Sequence, residues 1–144
     1  MKAVALSLAL MVSGAAAHAD VSPDDVSVVG SWSFVANTYD NCEFTGIVHL
    51  TPGTSPDLHA CELTARQACT DVTYVVRQSC TAKRSGGQLI INSTIEEFLE
   101  GPATAGYWPD NFILTIKSDT RMIGALLSHG SHAAEFRRMA EGIS

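Results

Sequence analysis

Residues 58–95 read LHACELTARQACTDVTYVVRQSCTAKRSGGQLIINSTI, and their alternation decides the fold. In LHACELTARQ, Cys61, Leu63 and Ala65 fall on one face and Glu62, Thr64 and Arg66 on the other, the two-residue period of a half-buried strand. A polar turn around Cys69, Thr70 and Asp71 follows. VTYVVRQSCTA then sets Val72, Tyr74, Val76, Cys80 and Ala82 against Thr73, Arg77, Ser79 and Thr81, a second strand. Ser85, Gly86 and Gly87 supply the positive φ angles of a tight hairpin, after which Leu89, Ile91 and Ile95 share one face of a third strand. The three strands form a meander.

The register of that meander predicts the disulfides. A hairpin folded between Thr70 and Asp71 brings Cys61 opposite Cys80, both on the apolar face. The preceding hairpin turns through Pro52, Gly53, Thr54, Ser55, Pro56 and Asp57, and folding it between Ser55 and Pro56 brings Cys42 opposite Cys69. Four cysteines allow three connectivities, and each of the other two centres a pair inside a strand. Cross-strand bridges need opposed Cβ atoms, so Cys42–Cys69 and Cys61–Cys80 is the expected pairing.

Toward the N-terminus, residues 1–19 hold one basic residue, Lys2, the apolar run AVALSLALMV, and the small-residue site Ala17, His18, Ala19. These are the marks of a secretory signal peptide cleaved before Asp20, with an alanine-rich, bacterial look. The run falls short of the ~20 apolar residues of a membrane span, so no integral membrane segment is expected. The destination would be periplasmic or extracellular, where an even cysteine count reads as bridges before metal ligands. No C-x-x-C element supports zinc. The formal net charge of −6 argues against nucleic acid and acidic membrane surfaces as partners.

The polar residues 20–27, with Pro23, Asp24 and Asp25, are expected to form a mobile N-terminal arm, and residues 28–144 a single barrel domain. Val28, Gly30, Trp32, Phe34 and Ala36 share a face of the first strand; Cys42, Phe44, Gly46, Val48 and Leu50 share a face of the second. Past the meander two readings stand: Ser93 with Glu96 as a capping box opening a helical turn, or the fifth strand continuing through Phe98. Gly101, Pro102, Gly106 and Pro109 then mark a loop. Three short strands follow, carrying Phe112, Leu114 and Ile116, then Met122, Gly124 and Leu126, then Ala134 and Phe136 on one face each. Eight short-linked strands predict an all-β, eight-stranded antiparallel up-and-down barrel, with a two-sheet sandwich as the alternative.

Gly30, Ser31 and Trp32 at the first strand, taken with Phe136, Arg137 and Arg138 at the last, resemble the calycin superfamily of small barrels. In that superfamily a Gly-x-Trp tryptophan packs under a basic residue from the last strand. The resemblance implies Trp32 stacked on Arg138 as a barrel-closing pair, with Arg137 facing solvent. Among calycins, the bacterial secreted metalloprotease inhibitors of the Inh type are similar in length, export signal, single barrel and early cysteines. That family typically has one bridge; four cysteines here imply two. Its N-terminal arm enters a protease cleft, a role that would fall to residues 20–27. Lipocalin-like and streptavidin-like binding barrels share the same two landmarks.

Residues with chemistry are few. His129 and His132 flank a turn near Glu135 and could ligate a metal, but a solvated turn accounts for them, and no cofactor is expected. His49 and His59 face each other across the Pro/Gly turn. Glu96 and Glu97 would point to opposite faces of a strand, and no G-x-S-x-G elbow occurs, which disfavours an enzyme. Tyr107, Trp108, Asp110 and Asn111 make either a binding loop, as exposed aromatics beside Pro109 suit, or a lid over the barrel mouth. The interior list, from Trp32 and Phe34 to Phe136, looks full. The reading is a monomeric, non-enzymatic exported barrel acting by its surface on another exported protein. The alternatives are an inhibitor of a secreted protease and a small-ligand carrier in the periplasm.

Overall fold

The computed structural model describes residues 22–140, so the expected signal peptide, 1–19, and the first two residues of the expected arm lie outside the described residues. Eight strands close into one barrel: β1 (Gly30–Ala36), β2 (Cys42–Ser55), β3 (Leu58–Cys69), β4 (Thr73–Ser85), β5 (Gln88–Glu100), β6 (Asn111–Ile116), β7 (Arg121–Leu127) and β8 (Ser131–Arg138). Each is antiparallel to the next, and β8 pairs back onto β1, with Trp32 opposite Arg138. This is the up-and-down barrel, not the sandwich. Both disulfides join residues that oppose one another in the ladder, Cys42–Cys69 with Cα atoms 4.0 Å apart and Cys61–Cys80 with 4.9 Å.

Inward-facing positions follow the alternation and fill the middle of the barrel. Phe34 stacks on Phe136 at 5.0 Å between centroids and meets Phe112 edge-on at 5.1 Å. A glycine at position 46 makes room for this cluster, because a Cβ there would lie 2.2 Å from the Phe34 ring. Each such aromatic, removed from water, stabilises the fold by about 2–3 kcal/mol. Gly46 is thus the small partner of a large neighbour on the facing strand.

The base of the barrel is closed by the segment leading into β1. A 3₁₀ turn at Pro23–Asp25 precedes Val26 and Val28, both buried, and Val28 accepts a hydrogen bond from the Trp32 indole at 2.9 Å. Arg138 lies over the Trp32 ring, its guanidinium carbon 4.4 Å from the centroid. Its nitrogens donate to the carbonyls of Val29, Ser27 and Asp119, and Arg84 donates to that of Val26. Gly30, at φ +130°, leaves the path open, since a Cβ there would stand 2.8 Å from Arg138 Nη1. Within the described part of the expected arm, residues 22–27, Val26 is buried, whereas Ser22, Asp24, Asp25 and Ser27 are exposed. Val26 and Val28 continue the two-residue alternation of β1 below its hydrogen-bonded part, and that alternation buries them.

Two expectations change. The capping-box helix does not form: β5 runs on to Glu100, through two bulges that insert Glu96 and Leu99 opposite β4. The bulges break the alternation, so Glu96, bonded to Ser79, and Glu97, paired with Arg77, both lie on the outer face. His49 and His59 do not face each other. His49 pairs in register with Glu62, is exposed and bonds Ser31, whereas His59 pairs with Pro52 and is buried.

Candidate functional site

The end of the barrel opposite Arg138 is built differently. β6 pairs only with Gln88–Ile91, so the upper half of β5 lacks a neighbour on that side. Residues 101–110 cover the gap. Tyr107 packs edge-on against Tyr74 of β4 and Phe98 of β5, at 5.6 and 5.8 Å between centroids. Beneath it lies a buried polar knot. Asp110 is 2% exposed; its Oδ2 accepts from Gln78 Nε2 at 2.6 Å and from the Tyr107 hydroxyl at 2.8 Å, and its backbone N–H donates to Gln78 Oε1 at 2.9 Å. Every partner of the carboxylate in this knot is a neutral donor.

Burial governs the ionisation of both acids. It pushes the Asp110 carboxyl up to about 6, against the pull of hydrogen bonds from Gln78, Tyr107 and Ser128. The Tyr107 phenol is raised further above its usual range by burial and by the Asp110 charge, so it stays a proton donor.

The loop is tied to the turn after β7. Trp108 stacks on His129, centroids 3.8 Å apart and planes 29° from parallel. His129 Nε2 donates to the Gly106 carbonyl at 2.7 Å, and the Ser128 hydroxyl donates to the Trp108 carbonyl at 3.3 Å. His129 has φ 45°, a left-handed conformation that a non-glycine residue holds at a cost of about 1–3 kcal/mol. These contacts offset it.

Between loop and barrel wall remains a cavity of about 380 Å³ lined by Tyr39, Phe44, Tyr74, Tyr107, Trp108, Asp110, Leu126, His129 and His132, among others. Its size and aromatic lining, with a few convergent polar groups, are those of a small-molecule pocket. Of the four expected loop residues, Tyr107, Trp108 and Asp110 line it. Asn111 does not; its Oδ1 accepts from the Ser93 amide and fastens β6 to β5. The loop combines both readings, Tyr107 as a buried lid and Trp108 as an aromatic with 53% of its surface exposed. Among the described residues no group of three or more His, Cys, Asp or Glu side chains is placed to hold a metal; His129 and His132 contribute ring surface to the cavity instead. The interior expected to be full is full in its middle and open at this end.

Sequence reasoning missed Gln78, Tyr39 and the part played by Ser128. For Gln78 the signal was available: it takes the inward position between Val76 and Cys80, where an uncharged amide needs a buried partner.

No protein-family model matches this chain, and no curated protein does. Among solved structures it is similar to a de novo designed fluorescence-activating β-barrel, at 19% identity and TM-score 0.55, over 83% of this chain and 99% of that one. It is also similar to a redesigned β-barrel, mFAP1, bound to DFHBI, at 16% identity and TM-score 0.54, over 77% of this chain and 94% of that one. At these identities the likeness establishes the barrel fold.

Proposed function

We propose that this chain is a calycin-like binding protein, not an enzyme, exported to an oxidising compartment and holding a small organic molecule in the mouth of its barrel. The observation that carries this reading is the cavity of about 380 Å³ under the 101–110 loop, walled by aromatic rings and reaching a buried carboxylate. Of the functions weighed from the sequence, the carrier requires an open, lined space. The bridges Cys42–Cys69 and Cys61–Cys80 fit such a compartment. The solved barrel mFAP1, of like fold, is bound to DFHBI.

A second reading keeps a protein as partner. Tyr39, Leu99 and Trp108, each about half exposed, crown the same mouth, and such a rim suits a peptide segment or chain terminus entering it. Inhibition of a secreted protease belongs to this reading.

Native mass spectrometry of the protein, recovered from the exported fraction of its host without refolding, tests the proposal. A mature chain beginning at Asp20, four hydrogens lighter than its reduced form and carrying an adduct of some hundreds of daltons, is the expected result. A bare chain that also gives no Trp108 fluorescence response across a small-molecule library would overturn the carrier. Inhibition of any member of a panel of secreted metallo- and serine proteases would establish the second reading.

A further inference from the structure

We infer that the molecule taken up at the barrel mouth is an organic cation with a flat, apolar body; this rests on the small-ligand reading above. The cavity offers the π-faces and edges of Tyr39, Tyr74, Tyr107 and Trp108, and Asp110 is its acid; neither lysine nor arginine lines it. A carboxylate held by neutral donors keeps its charge uncompensated, and a buried unpaired charge is destabilising until a counterion arrives. Among the described residues no salt bridge reaches Asp110. A cationic ligand would supply that counterion while its charge lies against aromatic faces, whose quadrupoles attract cations.

The distribution of charge over the barrel points the same way. Asp40 in the β1–β2 turn, Glu43 at the start of β2, Asp71 in the β3–β4 turn and Glu100 at the end of β5 are exposed at the mouth end. Lys83, Arg84, Lys117, Arg121, Arg137 and Arg138 lie at the opposite end, in the strand termini and turns around the base, where they outnumber the carboxylates of Asp24, Asp25, Asp57 and Asp119. Arg66 and Arg77 on the outer wall are the basic residues of the upper half, and Arg77 is paired with Glu97. The resulting field draws cations toward the mouth and repels anions from it.

Three ligands of one size and different charge test the inference by calorimetric titration at neutral pH: 1-naphthylmethylammonium, 1-naphthalenemethanol and 1-naphthoate. The ammonium is expected to bind about 10-fold or more tightly than the alcohol, and the naphthoate weakest. Asp110→Asn should erase the preference for the ammonium while leaving the alcohol within about twofold. A rim variant combining Asp40→Asn, Asp71→Asn and Glu100→Gln leaves the buried knot intact; it should reduce the ammonium's advantage and its sensitivity to salt. Equal affinities for ammonium and alcohol in the wild type would overturn the inference and leave a neutral-ligand pocket standing. Failure of all three to bind at millimolar concentration would overturn the small-ligand reading itself.

Discussion

Asp110 is the side chain whose charge is most at odds with its surroundings. Its carboxyl ordinarily titrates at 3.8, and burial raises it to about 6. The folded state therefore holds the proton more tightly than the unfolded chain. Stability from this group is full below 3.8 and is lost as pH rises through about 6. The linked free energy is on the order of 3 kcal/mol. Asp110→Asn keeps the shape and removes the titration, so the stability difference, wild type minus variant, should fall by about that amount between pH 3.5 and pH 7. His59, whose pKa is lowered by burial and by the nearby charge of Arg84, gives an opposite slope, but it is present in both proteins and cancels. Urea midpoints collected across that range decide the matter; a constant difference would show that the knot holds no uncompensated charge. At this scale the sequence was legible where a residue's partner lay at a fixed register, as with the cysteines. It was illegible where the partner lay across a loop, as with Gln78 and Asp110, 32 residues apart.

The elements of this chain obey their sequence pattern wherever a hydrogen-bonded neighbour enforces it. Strand β4 is bonded on both sides and keeps its alternation throughout, with Val76, Gln78, Cys80 and Ala82 all buried. The upper part of β5 has a neighbour on one side only and takes up two extra residues, which is why its end could not be told from a helical turn. The two disulfides differ in the same respect of setting. Cys80 is buried within the core cluster with Cys61 packed against it, whereas Cys42–Cys69 stands at the rim of the mouth. In the chain-entropy model each bridge stabilises the fold by about 3–4 kcal/mol, the rim bridge slightly more for its longer loop. Packing reverses that order: serines at 61 and 80 place two hydroxyls and a void in the core. Thermal melts of the two double-serine variants should rank Cys61→Ser with Cys80→Ser as the less stable, and the opposite ranking would mean that loop length governs.

For the whole molecule, the base is a lock and the mouth is an opening. Arg138 ties the entering segment at Ser27 and Val29, the β6–β7 turn at Asp119 and the ring of Trp32 into one contact. Arg138→Met should cost about 3 kcal/mol or more, since hydrogen bonds from a charged donor are lost at several carbonyls together. Trp32 emission should shift to the red as water reaches the ring; an unshifted spectrum with unchanged stability would reduce the contact to decoration. At this end the stacking of Arg138 on Trp32 is the contact that the resemblance to calycins implied, whereas the burial of Val26 beneath it was not expected. The mouth was not foreseen, because the 101–110 loop has no period to read. The seam between β1 and β8 has a kinetic consequence. Every other neighbouring pair joins strands consecutive in the chain, but Trp32 must wait for a partner more than a hundred positions later. Until that last strand arrives the nascent sheet has two raw edges, each able to recruit a stray strand, and sealing it is the slow, long-range step of folding. Until β8 seals the ring, the molecule stays adhesive along the open edges of β1 and β7.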